Sequence, residues 1–159
     1  MDHHLSAGHG GTSRVSWAVA AQATLHCLTG CAIGEVLGMV IGTALGWSAG
    51  STVVLAVALA FVFGYALTMR GVLRAGVGVR TALKVALAAD TVSIAIMEVI
   101  DNGFMLLVPG AMEAGLGDFR FWAPLLGGFA IAWPFAFAVN RAMIRRGKGH
   151  AVVHQYHEH

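Results

Sequence analysis

The chain has 159 residues and a net charge of +2, with 57% hydrophobic but only 11% charged residues, and its mean hydropathy is +0.73. A soluble globular domain carries about 25% charged residues, so the composition excludes a water-coated protein. The basic residues are dispersed between apolar runs and form no single patch, which excludes nucleic acid as a partner. The length suits one domain.

The opening segment, residues 1–16, holds His3, His4 and His9 and reads as a cytoplasmic tail. It lacks the pattern of a cleaved signal, because the apolar run behind it is too long for an h-region. A bilayer core takes about 20 apolar helical residues to cross, and the expected all-α transmembrane domain, 17–143, contains four such stretches. Helix 1 is expected over about 17–47, long enough to tilt or protrude. Helix 2 is expected over 52–69 and helix 3 over 81–108, stopping before Pro109. Helix 4 is expected over 121–143, with a kink at Pro134. No segment alternates as a membrane β-barrel would. A basic, histidine-containing tail, 144–159, follows.

Lys and Arg placement gives the orientation. Arg14, Arg70, Arg74, Arg80, Lys84, Arg141, Arg145, Arg146 and Lys148 all fall at one end, whereas the helix 3–4 loop has only Arg120. The positive-inside rule then places both termini in the cytoplasm, in a multi-pass protein of the inner membrane. Trp17, Trp47, Phe119, Phe121 and Trp122 suit the interfacial aromatic belts.

Helix 1 carries the most informative run, His26-Cys27-Leu28-Thr29-Gly30-Cys31-Ala32-Ile33-Gly34-Glu35. Cys27, Cys31 and Glu35 recur every four residues and share a helix face, with His26 about 100° around from Cys27. Beside them runs a glycine row, Gly30, Gly34, Gly38, Gly42 and Gly46, a groove that lets another helix approach closely. Helix 3 supplies Asp90, Met97, Glu98, Asp101 and Asn102. Counted along the helix axes, Cys31 and Glu98 both lie about 21 Å from the cytoplasmic end. Ionisable residues are costly inside a membrane and usually serve a site.

Each of these residues has a packing explanation when taken singly. Together, thiols, an imidazole and carboxylates at one depth point to a bound transition-metal ion, copper(I) or zinc. His26, Cys27, Cys31, Met97 and Glu98 are the expected ligands, with Glu35, Asp90, Asp101 and Asn102 forming a polar path. His150, His154 and His157 in the tail, with His150 and His154 four apart, are expected to collect metal. The expected partners are the lipid bilayer, further copies of the chain through the glycine groove, and a protein that donates the metal.

The run from His26 to Glu35, followed by the acidic third helix, resembles a bacterial family of short membrane proteins classed as a domain of unknown function. The resemblance covers helices 1 to 4 and implies a bacterial inner-membrane protein; it brings no settled activity. The leading expectation is a carrier that binds and moves a metal cation. Two alternatives stay open. One is a proton-coupled carrier or channel subunit that uses the helix 3 acids and treats the cysteines as packing. The other is a thiol–disulfide oxidoreductase, although a Cys-x-x-x-Cys pair in mid-helix lacks the thiolate-stabilising helix start such enzymes use. No catalytic residue is assigned. There is no P-loop or dinucleotide motif, so no nucleotide is expected. Nor is a haem, because one intramembrane histidine cannot make a bis-histidine site.

Overall fold

The computed structural model describes residues 10–74, 76 and 78–145. Among these, four α-helices account for almost the whole chain and no strand occurs: α1 (Gly10–Ala44), α2 (Ala49–Arg74), α3 (Val79–Leu107) and α4 (Phe119–Arg145). Each overlaps an expected stretch. α1 begins ahead of Trp17, so its first two turns fall in the segment expected as tail, and it stops before Trp47.

The connections show why the helices end where they do. After α1, Gly46 takes the left-handed conformation at φ 66°, its N–H donates to the Thr43 carbonyl, and the Trp47 N–H donates to the Gly42 carbonyl. This Schellman arrangement satisfies the last carbonyls of the helix. Ser48 then caps α2, its hydroxyl accepting the Ser51 N–H at 3.3 Å. α3 ends at Val108, which is extended at φ −88° and ψ 114°, as a residue before proline must be. Asp118 caps α4 by accepting the Arg120 N–H at 2.9 Å. Pro124 and Pro134 lie inside α4, which continues through both.

The helices pack as an antiparallel bundle in which α1 touches all three others, α2 most extensively, and α3 lies against both α2 and α4. The α1–α2 contact is the glycine row. Gly30, Gly34, Gly38 and Gly42 meet Gly64, Ala60, Ala56 and Thr52 in turn, so each step of four along α1 is a step of four back along α2. A Cβ on Gly30 would sit 2.7 Å from the Gly64 backbone, and one on Gly34 would overlap the Ala60 backbone. Lipid tails are as apolar as leucine, so helices in a membrane associate through such close van der Waals contact. The groove expected to receive a second copy is therefore filled by α2 of the same chain, and Gly46 belongs to the turn.

Three segments are long and apolar enough to cross a bilayer: Ala20–Ala44, Ala49–Gly71 and Phe119–Met143. They mark the chain as a membrane protein. Large apolar side chains cover the outside, among them Val54, Val62, Leu126 and Phe135.

Candidate functional site

α3 is a helix turned inside out. Its 29 residues, about 43 Å at 1.5 Å per residue, would cross a bilayer by length, but its acids keep it from qualifying on composition. Those acids are all on the inside. Asp90, Ser93, Glu98, Asp101 and Asn102 are buried, whereas Val92, Val99 and Leu106 on the opposite face are exposed. The seven-residue spacing of the outer row matches that of Asp90 and Met97 on the inner one. In water this arrangement would be reversed, because polar groups are expensive to bury.

The buried polar groups form a column where α1 faces α3 across the bundle. Nearest the end that holds the helix termini, Asn140 of α4 donates to the Thr24 hydroxyl of α1 at 3.0 Å and to the Ser93 hydroxyl of α3 at 3.2 Å. Thr24 in turn donates to the Ala20 carbonyl at 2.7 Å. One amide thus ties three helices together.

At the next level the Cys27 thiol donates to Asp90 Oδ1 at 3.6 Å, and the Thr68 side chain of α2 lies beside Asp90. Further along, Cys31 of α1 faces Glu98 of α3. Here two carboxyl groups from different helices meet over one amide. Asn102 Nδ2 donates to Glu35 Oε1 at 2.6 Å and to Glu98 Oε2 at 3.0 Å, and also reaches the Glu98 carbonyl at 3.0 Å.

Asp101 is fully buried on the α4 side, against Gly128. A Cβ at 128 would overlap Asp101 Oδ1, so the carboxyl group occupies room that only glycine leaves. Neither Asp101 oxygen has a hydrogen-bond partner among the described residues, and Glu98 Oε1 has none either. A buried acceptor without a donor costs about 1–3 kcal/mol, so these groups are poised to take up a proton or a cation.

The expected site residues separate into two groups. Cys27, Cys31, Glu35, Asp90, Glu98, Asp101 and Asn102 all lie in or beside the column. Met97 is fully buried in the apolar core with Ile94, Met105 and Leu125, a cluster that also takes in Cys27 and Cys31. His26 is half-buried and makes no hydrogen bond to the acids among the described residues. Among those residues, no three of His, Cys, Asp and Glu converge as a metal ion requires. His150, His154 and His157 lie outside the described residues, as do His3, His4, His9 and His159.

Sequence reasoning missed Asn140, Thr68 and Gly128. Asn140 carried a readable signal, a lone amide in an apolar helix just before the basic run. Gly128 had none, because its role depends on which side chain faces it.

No curated protein and no solved structure matches the chain. A family match runs over residues 16–149, taking in nearly all of α1 and the whole of α2, α3 and α4. The chain belongs to the family described as a domain of unknown function, DUF4396.

Proposed function

We propose that the chain is a four-span inner-membrane protein whose buried acid column relays protons, as a small proton-coupled carrier or the subunit of a channel. α3 crosses the bilayer with its acids inward, which gives four spans, and the Lys/Arg asymmetry puts both termini in the cytoplasm. The observation that carries the reading is Asn102 held between Glu35 and Glu98, with Asp101 about one turn beyond Glu98 and Asp90 about two turns before it. Two carboxyl groups this close cannot both be ionised cheaply in a low dielectric, so they share protons. Asp90 and Asp101 extend the series in both directions along α3. The thiols serve the acids, since Cys27 spends its proton on a hydrogen bond to Asp90.

The test uses proteoliposomes loaded with a pH-sensitive dye under an imposed membrane potential. The wild type acidifies or alkalinises the lumen faster than empty liposomes do. Glu98→Gln and Asp101→Asn each bring the rate down to the empty-liposome level. Equal rates in wild type and variants overturn the relay.

A second reading, a copper(I) or zinc carrier, rests on Cys31 lying against Glu98 and near Glu35. It requires side chains to converge on an arriving ion, with His26 turning inward, and a metal-donor protein to deliver it. Elemental analysis of protein purified without an affinity-metal step separates the two. Stoichiometric metal that disappears in Cys31→Ser favours this reading over the relay.

A further inference from the structure

The end of the bundle that gathers the helix termini holds a second polar feature, on the outside. Between α1 and α4 lies a cleft of about 310 Å³, lined by Trp17, Phe137, Arg141 and Arg145 with two alanines. The Arg141 guanidinium carbon sits 3.7 Å from the centroid of the Trp17 ring. Trp17 packs on Phe137 with centroids 5.3 Å apart, and Phe137 stacks on Trp133 at 5.1 Å and 14°. The cleft thus has an aromatic wall with a cation above it. Arg145, four residues on, lies on the same helix face and is exposed.

Arg141 Nε is buried and has no hydrogen-bond partner among the described residues. With Nε covered, the terminal amino groups of this planar guanidinium are the part that can meet an acceptor in the cleft, and such a fork matches phosphate oxygens. Two further observations choose among phosphates. The walls of the cleft are apolar apart from the arginines, which suits a hydrocarbon chain and does nothing for a free ion. The cleft also lies at the end of the apolar spans, with Trp17 just before Ala20–Ala44 and Arg145 just after Phe119–Met143, where Trp and Arg side chains meet headgroups.

We infer that this cleft seats an anionic glycerophospholipid, its phosphodiester held by Arg141 and Arg145 and the start of an acyl chain lying against Trp17 and Phe137. The site stands apart from the acid column, so its occupancy does not depend on what that column conducts.

The experiment is lipid retention. Full-length protein is reconstituted in vesicles of equal phosphatidylglycerol and phosphatidylcholine, extracted in mild detergent, and its bound lipid is quantified. The wild type retains phosphatidylglycerol in excess. Arg141→Gln and Arg145→Gln each lower the enrichment about fivefold, the effect of one basic side chain at an anionic surface. Arg74→Gln, on α2 at the same end, leaves it unchanged. Arg141→Lys keeps the charge but loses the planar stack, and falls between wild type and Arg141→Gln. If Arg141→Gln does not fold, the exposed Arg145→Gln carries the test alone. Three results overturn the assignment: no enrichment in the wild type, enrichment that survives Arg145→Gln, or displacement of the lipid by millimolar inorganic phosphate.

Discussion

α1 meets its neighbours along two seams built on opposite principles. Toward α2 it presents Gly30, Gly34, Gly38 and Gly42, and the contact consists of backbone against backbone and small side chains. Toward α3 and α4 it presents Thr24, Cys27, Cys31 and Glu35, and the contact consists of hydrogen bonds and buried acids. The first seam is satisfied by shape alone and leaves no polar group over. The second is held by a few directional bonds and leaves both Asp101 carboxyl oxygens and Glu98 Oε1 without donors among the described residues. Stability and chemistry are thereby assigned to different faces of one helix. The rigid α1–α2 seam lets the other face carry groups that would otherwise loosen the bundle.

That division predicts a ranking of effects. The largest belongs to the dry seam. Gly34→Val drives side-chain carbon into the backbone at Leu59 and Ala60, which cannot yield without parting the helices. Overpacking commonly costs 1–3 kcal/mol, and here about 3 kcal/mol or more is expected because the obstacle is backbone. The variant should lose its monodisperse peak in detergent and unfold at markedly lower temperature. Gly50→Ala, which faces open space, is the control and should match wild type. A well-folded Gly34→Val would show that the seam tolerates separation and that the contrast is false.

An intermediate effect is expected in the polar seam. Asn102→Leu removes the donor shared by Glu35 and Glu98, leaving two acceptors unmet, at about 1–3 kcal/mol. Combining it with Glu35→Leu should cost clearly less than the sum of the single changes, because both break one network. Strict additivity in a thermal or denaturant melt would mean that the two residues do not act through a shared bond.

The smallest effect is expected at the thiols. Cys27→Ala removes one weak hydrogen bond to Asp90, Cys31→Ala removes a contact with Glu98, and each removes a small volume. Proton flux in proteoliposomes should stay within about twofold of wild type, and stability should fall by no more than about 1 kcal/mol. Loss of flux as large as that in Glu98→Gln would instead place the thiols on the transport path and favour the metal reading.

Much of the molecule could be read from the chain because hydropathy and length constrain helices strongly. The acids of α3 and the thiols of α1 also share a seam, as matched depth suggested. What could not be read was direction around the helix. The glycine row announced close approach but not whose, since Ala56 and Ala60 of its true partner look like ordinary apolar filling in α2. His26, one residue from Cys27, points far enough aside to be half-buried without joining the acids. Asn140 and Gly128 matter only through Ser93, Thr24 and Asp101, contacts between residues distant in the chain. α3 itself fails a purely compositional criterion for crossing a membrane, because that measure averages over a face it hides and a face it shows.

The short Gly46–Ser48 turn bears on how the protein is made. It lets α1 and α2 close into a hairpin as soon as both have left the ribosome, using contacts that need nothing downstream. α3 has no such independence. Each of Asp90, Glu98 and Asp101 costs about 3 kcal/mol to place alone in a bilayer, and their surroundings come from other helices: Cys27 of α1 and Thr68 of α2 beside Asp90, Cys31 of α1 beside Glu98, and Gly128 of α4 against Asp101. The hairpin is thus a template awaiting the third segment during biogenesis. In a translocon insertion assay α3 supplied by itself should pass through the membrane, and it should be retained when residues 10–74 precede it.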